Sequence, residues 1–415
     1  MAVLTLHKLI DFKRHFFIKC RRSFRSIHHM IISIDPVIYP TKKLSINGKQ
    51  SFFGYYDKTP FSLDGSKILG LAAPIENNPP KQTDELLVGY FDSNNFLYHP
   101  VGRTNTWCWQ MGCRLHWFPK DANNLVIYNI LINGEYGSII QNIYTKEIIR
   151  RYSYPFYDID NQGLWAISLN FSRLHRLRPG YGYVNLPDKT EANACPDNDG
   201  VWSMNLITGS VKLVVSLERL SKIQPHTSMN GAEHYINHLS FNPSGSRFMF
   251  FHLWVKNGKR FSRLFTSDIE GEDLYLLANE GMVSHYTWKD DTDLLVYSFH
   301  KDTGRQYHLY RDKTSVRTVV GEKKLTEDGH PSFNPANASL LTDTYPDKYS
   351  DRKILIFDSL KNLHEVGAFF SPFRFKEEVR CDLHPRWDRI GRTICFDSAH
   401  DGYRSMYLMK IDTII

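Results

Sequence analysis

The sequence predicts an all-β protein, a seven-bladed β-propeller that follows a short, basic and helical N-terminal extension. Two observations predict the propeller. A polar residue, an aromatic residue three positions later, a turn rich in Pro, Asp, Asn or Gly and then an apolar strand recur seven times in the 415 residues. The repeats also lack the apolar period near 3.6 that helical solenoids need. The copies occupy residues 58–71, 114–129, 156–168, 238–251, 285–298, 330–344 and 384–398.

Each copy is predicted to form a β-hairpin, because Asp-Gly, Ser-Gly or Asn-rich tips separate runs of strand-forming residues. Most copies are followed by one or two further predicted strands, as at residues 85–92, 353–359 and 405–411. Four strands per unit and seven units are typical of a β-propeller. Residues 41–415 are therefore assigned to the propeller, and a strand from residues 42–56 is expected to close its ring.

A long insertion, at about residues 170–233, separates the third and fourth units. It is rich in Pro, Gly, Asn and Asp, so we expect it to form loops near one mouth of the propeller. Long loops within a compact fold often carry function.

The positive charge of the chain lies almost entirely in its first 30 residues. That segment holds seven basic side chains and one acidic one, which leaves about +1 of the net +7 for the rest. The propeller is therefore near neutral, and general nucleic-acid binding is not expected. Residues 1–40 predict a basic amphipathic helix that makes peripheral contact with an anionic membrane or a partner, or packs on the propeller.

Export is not expected from this sequence. The apolar runs near the N-terminus are short, charges interrupt them, and no small-residue cleavage site follows. The six cysteines have no CxxC spacing, which favours free thiols in a reducing compartment over a disulfide framework. We expect a cytoplasmic protein, at the inner face of the membrane if the extension binds there.

Polar residues occupy an equivalent position in six of the seven repeats. Stepping back three residues from the anchor of each repeat gives Lys58, Arg114, Phe156, His238, His285, His330 and His384. Equivalent positions of successive blades lie at similar height around the axis, so these side chains are expected to converge on the central channel. Four histidines in register predict a metal and catalytic centre, since neutral imidazoles bind zinc or manganese. The alternative is a polar channel lining that faces water.

Other side chains near the ring have two interpretations each. Cys381, three residues before His384, is either a further metal ligand or a buried structural thiol. Four aspartates either orient the histidines or make turn hydrogen bonds: Asp343, Asp347, Asp382 and Asp397.

Several segments resemble a known family. They include FFGYYDKTPF (52–61), WQMGCRLHWFP (109–119), INHLSFNPSGSRFMFFHLW (236–254), DGHPSFNP (328–335), LTDTYPD (341–347) and RCDLHPRW (380–387). Over residues 50–412 the chain resembles the propeller-fold polysaccharide lyases, namely oligogalacturonate lyase and the ulvan lyases. The resemblance implies a seven-bladed propeller, a bound divalent metal (manganese or zinc) and β-elimination on anionic glycans that contain uronic acids.

The resemblance also implies roles for the four histidines. His285, His330 and His384 fall on metal-ligand positions, and His238, one blade earlier, falls on the position of the base. The basic extension departs from the secreted degraders of the family, so intracellular processing or polysaccharide assembly is the role expected here.

β-Elimination at a uronate needs three kinds of group. A histidine suits the base that removes the C5 proton near neutrality. A metal, or a cation such as Arg114 or Arg173, neutralises the charge that develops on the C6 carboxylate. A tyrosine or water protonates the oxygen that leaves C4, and the candidates are Tyr181, Tyr183 and Tyr55, which alternatively pack or stack on sugars.

The insertion carries a group of cations with two interpretations. Arg173, Arg176 and Arg178, with His175, either recognise the carboxylates of an anionic glycan or form a solvated loop with scattered charge.

Two other classes of function stay open. A non-catalytic propeller would bind a glycan or a protein in polysaccharide assembly and keep the ring as a structural metal site. A glycoside hydrolase would need two carboxylates about 5 to 10 Å apart, which one sequence does not place.

Overall fold

The predicted hairpins assemble into seven four-stranded antiparallel sheets, which are the blades of a propeller. The computed structural model describes residues 39–411. In it, six of the seven sequence repeats supply the first two strands of one blade, and the first repeat, residues 58–71, supplies the second strand of blade 1. Apolar residues occupy both faces of these strands because each blade packs between two others, and every residue of the second strand of blade 1 is buried. The predicted seven-bladed, all-β fold is confirmed.

The blades follow one another in chain order, except that the first strand, Thr41–Leu44 (β1), joins the last blade. Blade 1 contains Gln50–Phe52 (β2), Lys67–Ala73 (β3), Leu86–Asp92 (β4) and Tyr98–Thr104 (β5). Blade 2 contains His116–Trp117 (β6), Leu125–Ile132 (β7), Glu135–Asn142 (β8) and Ile148–Tyr152 (β9). Blade 3 contains Asp158–Ile159 (β10), Trp165–Ser168 (β11), Gly200–Asn205 (β12) and Val211–Ser216 (β13).

The remaining blades carry the four histidines of the sequence ring. Blade 4 contains Glu233–Phe241 (β14), Phe248–Lys256 (β15), Lys259–Ser267 (β16) and Tyr275–Ala278 (β17). Blade 5 contains Val283–Trp288 (β18), Asp293–His300 (β19), Gly304–Arg311 (β20) and Arg317–Val320 (β21). Blade 6 contains Ser332–Phe333 (β22), Leu340–Asp343 (β23), Asp351–Phe357 (β24) and Leu363–Phe370 (β25). Blade 7 contains Arg386–Trp387 (β26), Thr393–Ser398 (β27) and Ser405–Lys410 (β28).

The ring is closed by pairing between the two ends of the described chain. Strand β1 pairs antiparallel with β28 and becomes the fourth strand of blade 7. Leu44, opposite Met406 in this register, is fully buried in the cluster that joins blades 1, 2 and 7. The closing strand therefore comes from the start of the segment that the sequence pointed to.

The segment between residues 170 and 233 is not one continuous loop. It contains strands β12 and β13 and two short helices, Phe171–Leu177 (α1) and Leu217–Lys222 (α2). Asn170 caps α1 by accepting a hydrogen bond from the backbone N–H of Arg173, and Ser216 caps α2 in the same way. Short strands between polar turns have the composition of a loop, which is why the sequence predicted one. Residues 178–199 are the part without strand or α-helix.

The predicted N-terminal helix lies outside residues 39–411, so its conformation and its contacts stay predictions. Between those limits, no helix is long and apolar enough to cross a membrane. The five cysteines of the described chain are all free thiols, as expected from their spacing.

Leu44→Ala should destabilise the propeller, because it opens a cavity at the only strand pairing that joins the chain ends in residues 39–411. We expect the free energy of unfolding to fall by about 2–5 kcal/mol, measured by denaturant titration. Lys42→Ala, at an exposed residue of the same strand, is the control and should change it by less than about 0.5 kcal/mol. Equal effects of the two variants would contradict a structural role for the closing strand.

Candidate active site

Three of the seven repeat-equivalent residues have a left-handed backbone. The angle φ is 55° at Arg114, 54° at His238 and 43° at His384. Residues with a Cβ rarely adopt this conformation, which costs on the order of 1 kcal/mol each. His238 also lies at a break in the β14–β15 register, between Asn237 and Leu239. Such bulges redirect a side chain, so the strain marks positions where side-chain direction matters.

Three histidines of blades 5, 6 and 7 form one buried cluster. The ring centres of His285 and His330 are 4.2 Å apart, and those of His330 and His384 are 4.3 Å apart. All three side chains are at most 3% exposed. The structure thus brings together the three residues to which the sequence assigned a metal.

Each histidine of the cluster is held through Nδ1. Nδ1 of His285 lies 2.8 Å from Asp328 Oδ1, and Nδ1 of His330 lies 2.7 Å from Asp343 Oδ1. Nδ1 of His384 lies 2.7 Å from the carbonyl oxygen of Gly54. Because a carbonyl or carboxylate oxygen only accepts, Nδ1 carries the hydrogen in each ring. The lone pair of each neutral imidazole therefore lies on Nε2.

The Nε2 atoms of His330 and His384 are buried and have no hydrogen-bond partner within the described chain. A buried polar atom without a partner is costly and needs an explanation, such as an ion. His330, His384 and Asp382 each offer a ligand atom, and these atoms lie within 4.8 Å of one another. Imidazole nitrogens and a carboxylate oxygen suit zinc or manganese, so the residues present fit a divalent metal.

Asp382 also forms ion pairs with two arginines. Its carboxylate oxygens lie 2.7 Å from Arg352 and 2.6 Å from Arg380, and 4.0 Å from His384 Nε2. Burial by itself would raise the pKa of this carboxyl, but Arg380 and Arg352 hold the pKa well below its usual range. Asp382 is therefore ionised and available as an anionic ligand.

His238, on blade 4, is set beside the cluster rather than in it. Its ring centre is 6.4 Å from that of His285. Its Nδ1 lies 3.2 Å from Tyr157 Oη, and its Nε2 lies 3.5 Å from Tyr55 Oη. Burial, and then the charge of Arg178, lower its pKa well below 6.5. The ring is thus neutral near pH 7 and can accept a proton.

The segment Gly54–Tyr56 of blade 1 contacts all four histidines. Tyr55 stacks on His238 at 5.2 Å and meets His384 edge-on at 4.9 Å, while Tyr56 lies 5.1 Å from His330. The backbone can pass here only at a glycine, because a Cβ on Gly54, where φ is 120°, would lie 2.9 Å from the Met111 backbone.

Arg114 lies under this site and its charge is already paired. Its guanidinium makes two hydrogen bonds to Asp57, of 2.7 and 3.2 Å, and its Nε donates to the Tyr157 carbonyl. The guanidinium also packs 4.4 Å from the Tyr157 ring centre. In this arrangement Arg114 positions Tyr157, and through it His238.

Arg173 lies within the wall of the insertion, away from the histidines. Its side chain is 1% exposed, and its nitrogens donate to the carbonyls of His234, Asn193 and Ala194 and to Thr190. These bonds leave it little capacity for a ligand, and they hold the insertion in place.

The insertion instead brings Arg178 and Tyr181 to the site. The Arg178 guanidinium lies 4.0 Å from the Tyr181 ring centre, and that ring meets His238 edge-on at 5.7 Å. Tyr181 Oη accepts a hydrogen bond from Arg380. Tyr183, by contrast, packs behind the site, where its hydroxyl is bonded to Asn129.

Cys381 packs with Phe375 and Ala399 in a small apolar cluster. Burial raises the pKa of its thiol to about 11, so it stays protonated near neutrality, unlike a metal-bound thiolate. Its neighbour Asp382 is the residue grouped with the histidines.

Two of the other three aspartates take a predicted role, and Asp397 takes neither. Asp343 binds His330, whereas Asp397 accepts from Arg386 and Asp347 makes turn hydrogen bonds to Tyr349 and Asp351. Sequence reasoning did not single out Tyr157, Arg352 or Arg380. Tyr157 lies inside the repeat at residues 156–168 and Arg380 inside the segment RCDLHPRW, whereas Arg352 lies in neither.

No protein-family profile and no curated protein matches the chain by sequence. Solved structures do match it. One is the oligogalacturonate lyase of Vibrio parahaemolyticus, with a TM-score of 0.64 and 10% identity over 90% of this chain and 94% of that one. Another is an oligogalacturonate lyase in complex with manganese, with a TM-score of 0.65 and 14% identity over 91% and 97%.

The propeller domain of the Trilobed protease of Pyrococcus furiosus also matches, with a TM-score of 0.50 and 8% identity over 87% of this chain and 97% of that one. Identities this low show a shared fold. The resemblance to oligogalacturonate lyase seen in the sequence is thereby confirmed for the propeller.

Asp343→Asn should disturb the centre at a defined point. The carboxylate accepts from the backbone N–H and Nδ1 of His330 and from the backbone N–H of His384, and an amide nitrogen cannot accept. We expect a loss of about 1–3 kcal/mol in the free energy of unfolding and about 10–100-fold weaker metal binding. Denaturant titration measures the free energy of unfolding, and metal titration measures the affinity. The control, Asp302→Asn on the surface, should change neither quantity.

Proposed function

We propose that the chain is a metal-dependent lyase that cleaves uronic-acid-containing oligosaccharides by β-elimination. The observation that carries the proposal is the set of three buried histidines whose Nδ1 atoms are bonded, two of which, His330 and His384, have a buried Nε2 without a partner in the described chain. A fourth histidine, neutral and beside them, supplies the base. The likeness in fold to oligogalacturonate lyases, one of them a manganese complex, supports this reading.

His285, His330 and His384 would hold the metal through Nε2, with Asp382 rather than Cys381 as a further ligand. Manganese and zinc both suit this donor set. When bound, a divalent ion supplies positive charge that stabilises the developing charge on a substrate carboxylate. Arg178, which packs on Tyr181 and faces His238, adds positive charge at the same place.

His238 takes the C5 proton of the uronate in this proposal. With Nδ1–H donating to Tyr157 Oη, the Nε2 lone pair acts as the base once its long contact with the Tyr55 hydroxyl, at 3.5 Å, gives way to substrate. The C5–H electrons form the C4–C5 double bond as the C4–O bond breaks. Tyr181 protonates the leaving oxygen, since its hydroxyl accepts from Arg380 and keeps its own proton to donate.

The other expectations about the protein's setting stay proposals. An anionic substrate fits the cations beside the histidines, and the basic residues 1–40 suit an anionic membrane surface. A cytoplasmic location, at the inner face of a membrane, is consistent with both features.

Two histidine variants should separate metal binding from proton transfer. His330→Ala should lose bound metal and activity, because it removes one lone pair; His238→Ala should keep the metal and lose at least about 100-fold in kcat. Elemental analysis gives the metal content, and the ultraviolet absorbance of the unsaturated uronate gives the rate on a panel of polyuronates. His364→Ala, on outer strand β25 of blade 6, is the control.

Each outcome bears on one part of the proposal. Wild-type protein without divalent metal would contradict the coordination, and a full rate in His238→Ala would contradict the base. New reducing ends without unsaturated sugar would identify a hydrolase. Bound metal with no product from any polyuronate would favour a binding propeller.

The pH dependence should follow the lowered pKa of His238. Burial and Arg178 hold this pKa well below 6.5, so the base form persists as the pH falls and kcat/KM should decline only below 6.5. Arg178→Gln should move that decline toward higher pH, while Arg176→Gln, on α1 and paired with Glu233, should not. A decline centred at or above 6.5 in the wild type would exclude His238 as the base.

A further inference from the structure

A large cleft opens beside the histidine centre, at the end of blades 6 and 7. Its volume is about 1110 Å³, at the upper end of the range for small-molecule sites. We call it the 345–402 cleft. Its walls come from three segments of the chain, residues 345–352, 370–380 and 400–402.

The inner end of the 345–402 cleft adjoins the candidate active site. Tyr345 lines the cleft, and its ring centre lies 6.3 Å from that of His285 and 6.1 Å from that of His330. Arg380 lines it too, and it donates to Tyr181 Oη. Tyr345 and Arg380 are therefore the residues that a sugar chain bound at the histidines would pass on its way into the cleft.

The inner end also carries excess positive charge. Arg352 and Arg380 both line the cleft, and both pair with the one carboxylate of Asp382. Two guanidinium groups and one carboxylate leave one net positive charge in a largely buried place, where Arg352 is 4% exposed. A guanidinium has five N–H donors and matches a carboxylate in geometry, so this pair has capacity for a second, external carboxylate.

The outer end presents cations and aromatic rings to solvent. Arg374 and Lys376 are exposed, and neither forms an ion pair with any residue of the described range. The half-buried rings of Phe370 and Phe373, 6.4 Å apart, form the wall beside them. Aromatic faces next to cations suit a ligand that alternates apolar sugar faces with carboxylates.

Acidic side chains are present as well, which limits the kind of ligand. Asp347 and Glu377 line the same cleft, and the Asp347 carboxylate accepts backbone hydrogen bonds in its own turn. The mixture disfavours a densely charged polyanion and favours single carboxylates set apart by neutral hydroxyl groups.

We propose that the 345–402 cleft binds at least one further acidic sugar of the substrate, with its carboxylate at Arg352 and Arg380 and the chain continuing past Phe373 toward Arg374. This rests on the proposed function, because it takes the histidine centre as the place of cleavage. The protein would then prefer oligosaccharides longer than a disaccharide.

Binding to His238→Ala protein tests the cleft without turnover. The probes are saturated oligogalacturonates, oligoglucuronates and oligomannuronates of two and four sugars, with neutral maltotetraose as the ligand control, measured by calorimetry. We expect a tetrasaccharide of one acidic series to bind about tenfold more tightly than its disaccharide. Adding Arg374→Ala or Lys376→Ala should remove most of that gain and leave disaccharide affinity unchanged. Arg103→Ala, an exposed arginine on blade 1, is the matched protein control.

The results separate the cleft from the catalytic proposal. Any one of three results would contradict an acidic-sugar site in the cleft. They are equal affinity for two and four sugars in all three series, no effect of Arg374→Ala and Lys376→Ala, and binding of maltotetraose as tight as that of the acidic tetrasaccharides. Lyase activity in wild-type protein together with those results would keep the proposed function. If acidic oligosaccharides bind more tightly with length and this gain needs Arg374, but the protein releases no unsaturated product, the proposed cleft is supported and the proposed lyase activity is contradicted.

Discussion

The geometry of the centre depends on the carboxylate of Asp343, at the end of strand β23 of blade 6. One of its oxygens accepts from both the backbone and the ring of His330, and the other accepts from the backbone of His384. Blade 6 and the start of blade 7 are thereby held at one distance, and His330 is held in one tautomer. The two histidine rings are therefore in place before any ligand arrives, and the cost of that order is met when the protein folds.

The site divides between the two halves of the ring. Blades 4 to 7 supply the histidines, while blade 1 supplies Tyr55 and Tyr56. Arg114, between blades 1 and 2, positions Tyr157 at the start of blade 3. Closure of the ring by β1 keeps these halves together. The proposed metal binding and proton transfer would consequently be coupled to the fold, although the residues come from distant parts of the chain.

The repeats made the fold and the ring of histidines predictable, because equivalent residues in a propeller reach equivalent places. The same logic did not extend to partners in other blades. Asp57, which neutralises Arg114, lies 57 residues away, and no spacing rule connects them. Cys381 and Asp382 are adjacent, so only the backbone direction decides which one meets His384. In the insertion, helix α1 buries Arg173 and ends before Arg178, and composition does not distinguish the two.

The left-handed backbone at His238 and His384 has a consequence for how such a site persists. Glycine or asparagine would occupy these positions with less strain than histidine does, so the backbone alone favours their replacement. That strain, on the order of 1 kcal/mol at each position, is opposed by the contacts of two buried rings, among them Tyr55 against both and the Gly54 carbonyl against His384. Histidine therefore persists at these positions only while its ring contacts outweigh the strain.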